Sequence, residues 1–205
     1  IVILPSAQHK SAPENEFAMM ELARRVGFDV PDTMLAPLSE IAGLPSDVAS
    51  LGSHAFVIKR FDRLANGARI HIEDFAQVFG LPPSRKYERA NNEMIARVLA
   101  AETSELDVAE FVRRFVFNAL IGNGDMHLKN WSLIYPDKRK AALAPAYDFV
   151  STIEYIQPDR LALNFADTKE FTELDRARFE RFAAKTQLSS RLVTDILSQT
   201  VERFH

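Results

Sequence analysis

The chain has 205 residues, of which 47% are hydrophobic and 26% charged, as in a folded globular protein and unlike a disordered chain. Its formal net charge of −3 and pI near 6.0 lack the basic balance of a nucleic-acid-binding domain, so we expect no direct contact with nucleic acid. It has no Cys, no apolar run near the roughly 20 residues of a membrane span and no signal-peptide pattern, so we expect a cytoplasmic protein without a membrane contact.

The start of the chain predicts a small unit that contains strands. Residues 1–4 are typical of a buried strand that stops at Pro5. Glu14–Val26 predicts a helix, because apolar residues recur near helical spacing and Gly27 suits a helix C-cap. Residues 28–38 are predicted to be extended, since two prolines within them prevent a long helix.

The pattern changes near residues 62–70, where we expect two parts of the molecule to join. Before this point, residues 36–53 predict a surface loop and His54–Phe61 predicts a strand. After it, Ile72–Phe79 predicts a short helix and Arg89–Ala101 a longer one. The second part is therefore expected to be mostly helical.

The strongest helix signal of the sequence begins at Asp107. Asp107 and Glu110 form a pair typical of a capping box, and a wide apolar stripe follows until Gly122. The later elements are predicted to be a strand at Trp131–Tyr135, an extended segment at Leu143–Phe149, and helices at Glu173–Lys185 and Ser190–Phe204. The most informative motif of the chain lies between the strong helix and the strand.

That motif is Asn123-Gly124-Asp125-Met126-His127-Leu128-Lys129-Asn130. Asp125 and Asn130 have the spacing of the kinase loop D-x-x-x-x-N, in which the Asp accepts a hydroxyl proton and the Asn gives an oxygen to Mg²⁺. Because Mg²⁺ is usually held by one or two carboxylates plus phosphate, a second carboxylate should follow on a neighbouring strand. Asp148 followed by Phe149 provides it and resembles the start of the kinase D-F-G element, with Val150 in the place of Gly.

Simpler interpretations exist for each of these residues. Asn-Gly-Asp is also a common turn, and a lone D-x-x-x-x-N arises by chance, whereas the whole ordered set is more specific. His127 has no second His or Cys at ligand spacing, so we expect it to orient Asp125 or to contact phosphate rather than to bind a metal. Lys129 either neutralises phosphate charge or is a solvated loop residue, and the sequence favours neither.

Several blocks, taken in order, resemble the family of HipA-like kinases over nearly the whole chain. The loop at residues 123–130 resembles the N-G-D-x-H-x-K-N loop of that family. The other blocks are Leu4-Pro5-Ser6, Glu14-Asn15-Glu16-Phe17, residues 27–31, residues 56–63, residues 73–77, Leu81-Pro82-Pro83 with Lys86-Tyr87-Glu88, and Tyr147-Asp148.

The resemblance implies an α+β, protein-kinase-like fold with two lobes. Residues 1–64 would form a truncated, strand-containing N-lobe with the hinge, and residues 65–205 a mostly helical C-lobe. It further implies a bacterial toxin of a toxin–antitoxin system that transfers the γ-phosphoryl group of ATP, with Mg²⁺, to a serine or threonine of a protein. The partners it implies are a helix-turn-helix antitoxin and a protein substrate such as an aminoacyl-tRNA synthetase.

The resemblance also assigns roles to individual residues. Asp125 would be the catalytic base with His127 beside it, and Asn130 and Asp148 would hold Mg²⁺. Lys59 to Phe61 would form the hinge that contacts adenine, and Lys129 would lie near ATP. Glu16 would stand in the place of the helix-C glutamate. All of these positions match the family's blocks.

Two departures from the family pattern bear on activity. Ile3 stands where members usually carry a Lys that contacts the α- and β-phosphates and pairs with the helix glutamate. No phosphate-cradling glycine run is present among the 7 Gly of the chain, so the missing subdomain would lie upstream or on a separate polypeptide. A catalytically impaired nucleotide-binding scaffold and a small-molecule phosphotransferase therefore remain as alternatives.

Overall fold

A computed structural model of the chain describes residues 1–9, 11–82, 84 and 90–205. The predicted helix start at Arg89 and the block at residues 86–88 lie outside these described residues. The described strands form two antiparallel sheets of three strands each, with the orders β1-β3-β2 and β4-β5-β6. The helices pack around these sheets and enclose one hydrophobic core.

The first sheet consists of β1 (Val2–Ile3), β2 (Thr33–Pro37) and β3 (His54–Ile58). The central strand β3 pairs antiparallel with both neighbours, and Phe56, which is fully buried, lies opposite Ile3. The strands predicted at both ends of this unit are thereby confirmed, although each is shorter than the predicted segment. The predicted burial of the first strand is wrong: Ile1 and Val2 are exposed, because β1 lies at the edge of its sheet. The predicted loop between β2 and β3 contains only a single helical turn, α2 (Ser46–Ala49), besides a short 3₁₀ turn.

Helix α1 (Ala12–Val26) packs against β2 and β3 and confirms the predicted helix, with two additional residues at its start. It ends at Gly27, whose φ of 93° lies in the left-handed region that favours glycine. The buried face of α1 carries Met20 and Ala23, as its apolar pattern predicts. The same face also carries Glu16, a charged residue that is only 8% exposed.

The second sheet consists of β4 (His71–Asp74), β5 (Ser132–Tyr135) and β6 (Ala142–Leu143). The helix predicted over Ile72–Phe79 is wrong in its first half, because these residues pair antiparallel with β5, some 60 positions later in the chain. The helix, α3 (Phe75–Val78), starts only after Asp74, which caps it through a reciprocal pair of hydrogen bonds with Gln77. The apolar spacing of residues 72–79 contains no information about β5, because that pairing partner lies far away along the chain.

The remaining helices form the second part of the molecule. They are α4 (Asn92–Glu102), α5 (Glu105–Leu120), α6 (Arg176–Thr186) and α7 (Ser190–Phe204). The predicted capping pair of α5 is wrong: Ser104 caps the helix reciprocally with Asp107, so α5 begins two residues earlier than predicted. In the described part of the chain, no helix combines the length and apolar character that a membrane crossing requires.

Helix α5 occupies the centre of this part and contacts α4, α7 and β6. Its Phe115 stacks on Phe165 with ring centroids 4.0 Å apart. Phe165 in turn stacks on Phe182 of α6 at 4.5 Å and contacts Phe179 at 4.8 Å. The core beneath the end of α5 is therefore built mainly from aromatic rings, and this end leads directly into the loop at residues 123–130.

Candidate functional site

A cavity of about 310 Å³ opens between the two sheets. Its wall is formed by β1, the end of β3, the start of β5 and the segment that follows β6. The lining residues are Ile1, Ile3, Glu16, Ile58, Lys59, Arg60, Phe61, Asp62, Ile72, Asp74, Gln77, Lys129, Ser132, Tyr147 and Asp148. Five residues predicted from the sequence, Glu16, Lys59, Phe61, Lys129 and Asp148, are thus brought to one cavity.

Asp125 lies at a second pocket of about 420 Å³. This pocket is bounded by Gly124, Thr152, Tyr155 and Asp159, among others. Asp125 does not line the first cavity, in which Asp148 lies. The two predicted carboxylates therefore face different pockets: Asp148 lines the first cavity and Asp125 lines the second pocket.

Asn123 connects these two carboxylate segments. Its side-chain Oδ1 accepts a hydrogen bond from the backbone N–H of Asp125 at 3.0 Å. Its amide Nδ2 donates to Asn118 Oδ1 of α5 at 2.7 Å and approaches the carbonyl oxygen of Asp148 at 3.4 Å. Because Asn123 is fully buried, the end of α5 fixes the position of both Asp125 and Asp148.

The other two predicted loop residues lie beneath Asp125. Asn130 is buried, and its Nδ2 donates to the Asp125 carbonyl oxygen at 3.3 Å, which closes the loop. His127 is also buried, and its Nε2 lies 4.0 Å from the Asp125 carboxylate oxygen Oδ2. The carboxylate itself is 45% exposed and faces solvent in the second pocket. The role of His127 in orienting Asp125 stays a prediction.

Asp148 adopts a left-handed backbone conformation with φ of 61°. Asp tolerates this conformation better than most residues, and strained residues of this kind occur often at functional sites. The preceding residue, Tyr147, is anchored by its hydroxyl, which donates to the Lys129 carbonyl oxygen at 2.9 Å and contacts Ser132 Oγ at 2.5 Å. Burial raises the pKa of the Tyr147 phenol, so this anchor stays protonated.

The donor set of the site suits a hard divalent cation. Asn130 and Asp148 offer amide and carboxylate oxygens, the ligand types that Mg²⁺ prefers. No group of three or more His, Cys, Asp or Glu residues suited to hold a metal ion occurs in the described ranges. Mg²⁺ is usually held by one or two carboxylates, with phosphate oxygens and water as its other ligands.

The predicted hinge segment is held by charge pairs. Lys59 Nζ lies 3.0 Å from Asp32 Oδ2, an exposed pair, while its backbone N–H donates to the Asp32 carbonyl at 2.9 Å. Arg60 binds the buried Asp62 carboxylate through two nitrogens, at 2.8 and 2.6 Å, and Arg63 contacts it as well. The hydrogen bond from Arg60 is the main cause that lowers the pKa of Asp62. Sequence reasoning missed these contacts of Asp62 with Arg60 and Arg63. The alternating charges of Arg60-Phe61-Asp62-Arg63 were the signal that could have revealed them.

Sequence reasoning also missed the residues that support Asp125 from the second pocket. Thr152 Oγ1 accepts a hydrogen bond from the Gly124 N–H at 2.6 Å and lies 2.5 Å from Asp159 Oδ2. A Cβ atom on Gly124 would lie 2.6 Å from the Asp159 Cγ, so a larger residue here would displace the Asp159 carboxylate from Thr152. Thr152 and Asp159 lie far from the loop in the sequence, and no motif marks them.

Glu16 lies in the first cavity, and no lysine among the described residues pairs with it. Ile3, in the place of that lysine, lines the same cavity. Burial, and secondly the nearby Asp148 carboxylate, raise the pKa of Glu16 from its usual 4.5 to about 8. The metal-free protein therefore carries a neutral Glu16 near pH 7.

Substitution of Glu16 by Gln is expected to change how stability depends on pH. The folded protein keeps a proton on Glu16 up to about pH 8, whereas the unfolded chain loses it near 4.5, so wild-type stability falls as the pH rises between these values. Glu16→Gln removes this loss and should be more stable than wild type by about 5 kcal/mol at pH 9, with little difference at pH 4. Urea denaturation in EDTA from pH 4 to 9 measures this difference.

Glu21→Gln is the matched control on the same helix, since Glu21 is paired with Arg24 at the surface. We expect its stability relative to wild type to stay constant from pH 5 to 9. A constant difference for Glu16→Gln as well would mean that Glu16 ionises normally.

Comparison with known proteins gives four consistent matches. The family model described as HipA-like C-terminal domain matches residues 2–205. A relative named putative kinase Y4dM, from Sinorhizobium fredii, is 58% identical over 205 residues, which is all of this chain and 50% of the relative. The chain thus spans half the length of that relative.

Solved structures share the fold. HipA in the Shewanella oneidensis toxin–antitoxin complex of HipA, HipB and operator DNA matches 94% of this chain and 47% of its own, with a TM-score of 0.78 and 23% identity. The Helicobacter pylori proinflammatory kinase CtkA matches 98% of this chain and 85% of its own, with a TM-score of 0.57 and 14% identity. The predicted α+β, kinase-like fold is confirmed by these two likenesses.

Proposed function

The chain belongs to the family of HipA-like C-terminal domains, and we propose that it is the catalytic part of a kinase that transfers the γ-phosphoryl group of ATP to a serine or threonine of a protein. In this proposal residues 1–64 form the nucleotide-binding lobe and residues 65–205 the catalytic lobe. Because the chain spans half of its relative, a further segment or protein would complete the ATP site.

One observation carries the proposal: Asn123 holds Asp125 at one pocket and Asp148 at the other. Phosphoryl transfer needs a nucleotide site and an acceptor site that meet at a base and a metal. The cavity with Asp148 and the segment Lys59–Phe61 suits the nucleotide. The pocket with Asp125 suits the acceptor hydroxyl.

In the reaction, the Asp125 carboxylate accepts the proton of the acceptor hydroxyl as its oxygen bonds to the γ-phosphorus. The bond between the γ-phosphorus and the β–γ bridging oxygen breaks, and ADP leaves. Asn123 and Thr152 keep the backbone on either side of Gly124 in place, so the carboxylate needs little reorganisation. His127, beneath the loop, orients the Asp125 side chain. Lys129, exposed at the cavity rim, attracts the phosphates.

Asn130 and Asp148 would hold Mg²⁺, which when bound neutralises charge on the phosphate oxygens. The backbone of Lys59 to Phe61 would contact adenine, since these residues line the same cavity as Asp148. The ring of Phe61 lies 5.8 Å from that of Tyr147, and this aromatic pair closes the adenine side of the cavity.

We further propose a bacterial, cytoplasmic toxin–antitoxin role, supported by the likeness to HipA in its complex with HipB and operator DNA. The partner would be a helix-turn-helix antitoxin, and a separate protein that resembles the missing N-terminal subdomain is a second candidate. An aminoacyl-tRNA synthetase would be the class of protein substrate. The net charge of −3 supports contact with DNA through the antitoxin rather than directly.

The test is transfer of labelled γ-phosphate from Mg-ATP to the proteins of a bacterial lysate, with Asp125→Asn as the blank. Labelled protein bands that depend on the wild-type chain are the expected result. The same reaction with amino sugars and choline as acceptors tests the small-molecule alternative, and faster labelling of these acceptors would replace our proposal.

A catalytically impaired scaffold is the second candidate, and Ile3 is the observation that favours it. Its side chain cannot supply the point charge that the family's lysine offers to the α- and β-phosphates. This candidate predicts that ATP raises the melting temperature, because ligands stabilise the state that binds them, while no protein becomes labelled.

A further inference from the structure

Glu16 is a buried carboxylate that points into the nucleotide cavity. It is 8% exposed and lines the cavity together with Asp148. No described residue donates a hydrogen bond to its side chain, and no described cation forms an ion pair with it. A buried carboxylate normally has such a partner, because burial without one is costly.

The cationic residues around the cavity have other partners or face solvent. Lys59 pairs with Asp32, and Arg60 binds Asp62 through two hydrogen bonds. Lys129 is exposed at the rim. Ile3, which occupies the family's lysine position, is apolar and partly buried against the core. The protein thus lacks, among its described residues, a cation suited to Glu16.

A neighbouring residue clamps Glu16 close to Asp148. The Asn15 side chain forms two hydrogen bonds with the backbone of Ser151: Nδ2 donates to the carbonyl at 3.0 Å, and Oδ1 accepts from the N–H at 2.9 Å. Asn15 precedes Glu16 directly, and Ser151 lies three residues after Asp148. This clamp holds the start of α1 to the segment that follows Asp148, and both carboxylates line the same cavity. Ionisation of both groups there would be favoured by a positive charge between them.

We propose that Glu16 and Asp148 together form a divalent-cation site, in which a bound Mg²⁺ or Mn²⁺ takes the place of the family's lysine. Both groups offer carboxylate oxygens only, which selects a hard cation. The proposal rests on the metal role that the proposed function gives to Asp148, and it makes Glu16 a metal ligand instead of an ion-pair partner. It explains how a chain with Ile3 can keep a buried glutamate at this position.

The experiment is a nucleotide-free titration of the chain with Mn²⁺, in which the free ion is counted by its electron paramagnetic resonance signal. We expect one Mn²⁺ site whose affinity falls at least about tenfold in Glu16→Gln, since one of its two carboxylates is lost. Ile3→Lys should weaken Mn²⁺ to a similar extent, because its ammonium group would pair with Glu16. Glu21→Gln, on the same helix, should bind Mn²⁺ like wild type.

An unchanged Mn²⁺ affinity in Glu16→Gln would overturn the proposal, as would a site lost only in Asp148→Asn. Thermal melting of each variant in EDTA confirms that it is folded before titration. Failure here is distinguishable from failure of the proposed function, because Mn²⁺ binding is measured without ATP or acceptor. A Glu16-dependent site in a chain that labels no protein would support the cation site and would favour the catalytically impaired scaffold over the kinase.

Discussion

Replacement of Asp125 by Asn is expected to lower the rate of phosphate transfer by about 10²–10⁴-fold, the usual loss when a positioned general base is removed. The amide has nearly the shape of the carboxylate but cannot accept the hydroxyl proton. Since Asp125 lies at the second pocket and not in the first cavity, where we propose that ATP binds, ATP binding should change little. Rates of labelling at saturating ATP, with ATP affinity measured separately, test both parts.

Asp195→Asn is the matched control, because Asp195 is exposed on α7 and pairs only loosely with Arg191, at 3.6 Å. Its labelling rate should equal that of wild type. Full activity in Asp125→Asn would remove Asp125 from the reaction and would direct attention to Asp159, the other carboxylate of that pocket.

Substitution of Phe165 by Ala should cost about 3–5 kcal/mol of folding free energy, as for other large-to-small changes of buried aromatic residues. The ring is 1% exposed and lies between Phe115 and Phe182, so its removal opens a cavity that both stacked partners border. Because small domains are stable by only about 5–15 kcal/mol, this is a large share of the total. Denaturant unfolding at constant pH measures it.

Leu106→Ala is the control for this prediction, since Leu106 lies on the surface of α5 and is 82% exposed. We expect its unfolding free energy to stay within about 0.5 kcal/mol of wild type. A loss below about 1 kcal/mol for Phe165→Ala would mean that the core around α5 repacks to fill the space.

The candidate site illustrates what residue spacing can reveal. Asp125 and Asn130 form one short loop, so their spacing along the chain already brings them together, and the hydrogen bond between them is a local one. Asp148 was predicted as a metal ligand because it is a carboxylate that follows the predicted strand after the loop. Thr152 and the Asn15 clamp could not be found in this way, because their partners Gly124 and Ser151 lie 28 and 136 residues away along the chain.

The sequence by itself determined the family, the kinase-like fold, the helices with clear apolar stripes and the loop at residues 123–130, because short-range periodicity and ordered motifs are properties of the chain alone. Only the tertiary structure decided that residues 71–74 form a strand, since β5 supplies their hydrogen bonds. It also decided that Glu16 lies buried near Asp148 with Ile3 in the same cavity. Burial and electrostatic neighbours depend on which distant segments pack together, and spacing along the chain does not encode them.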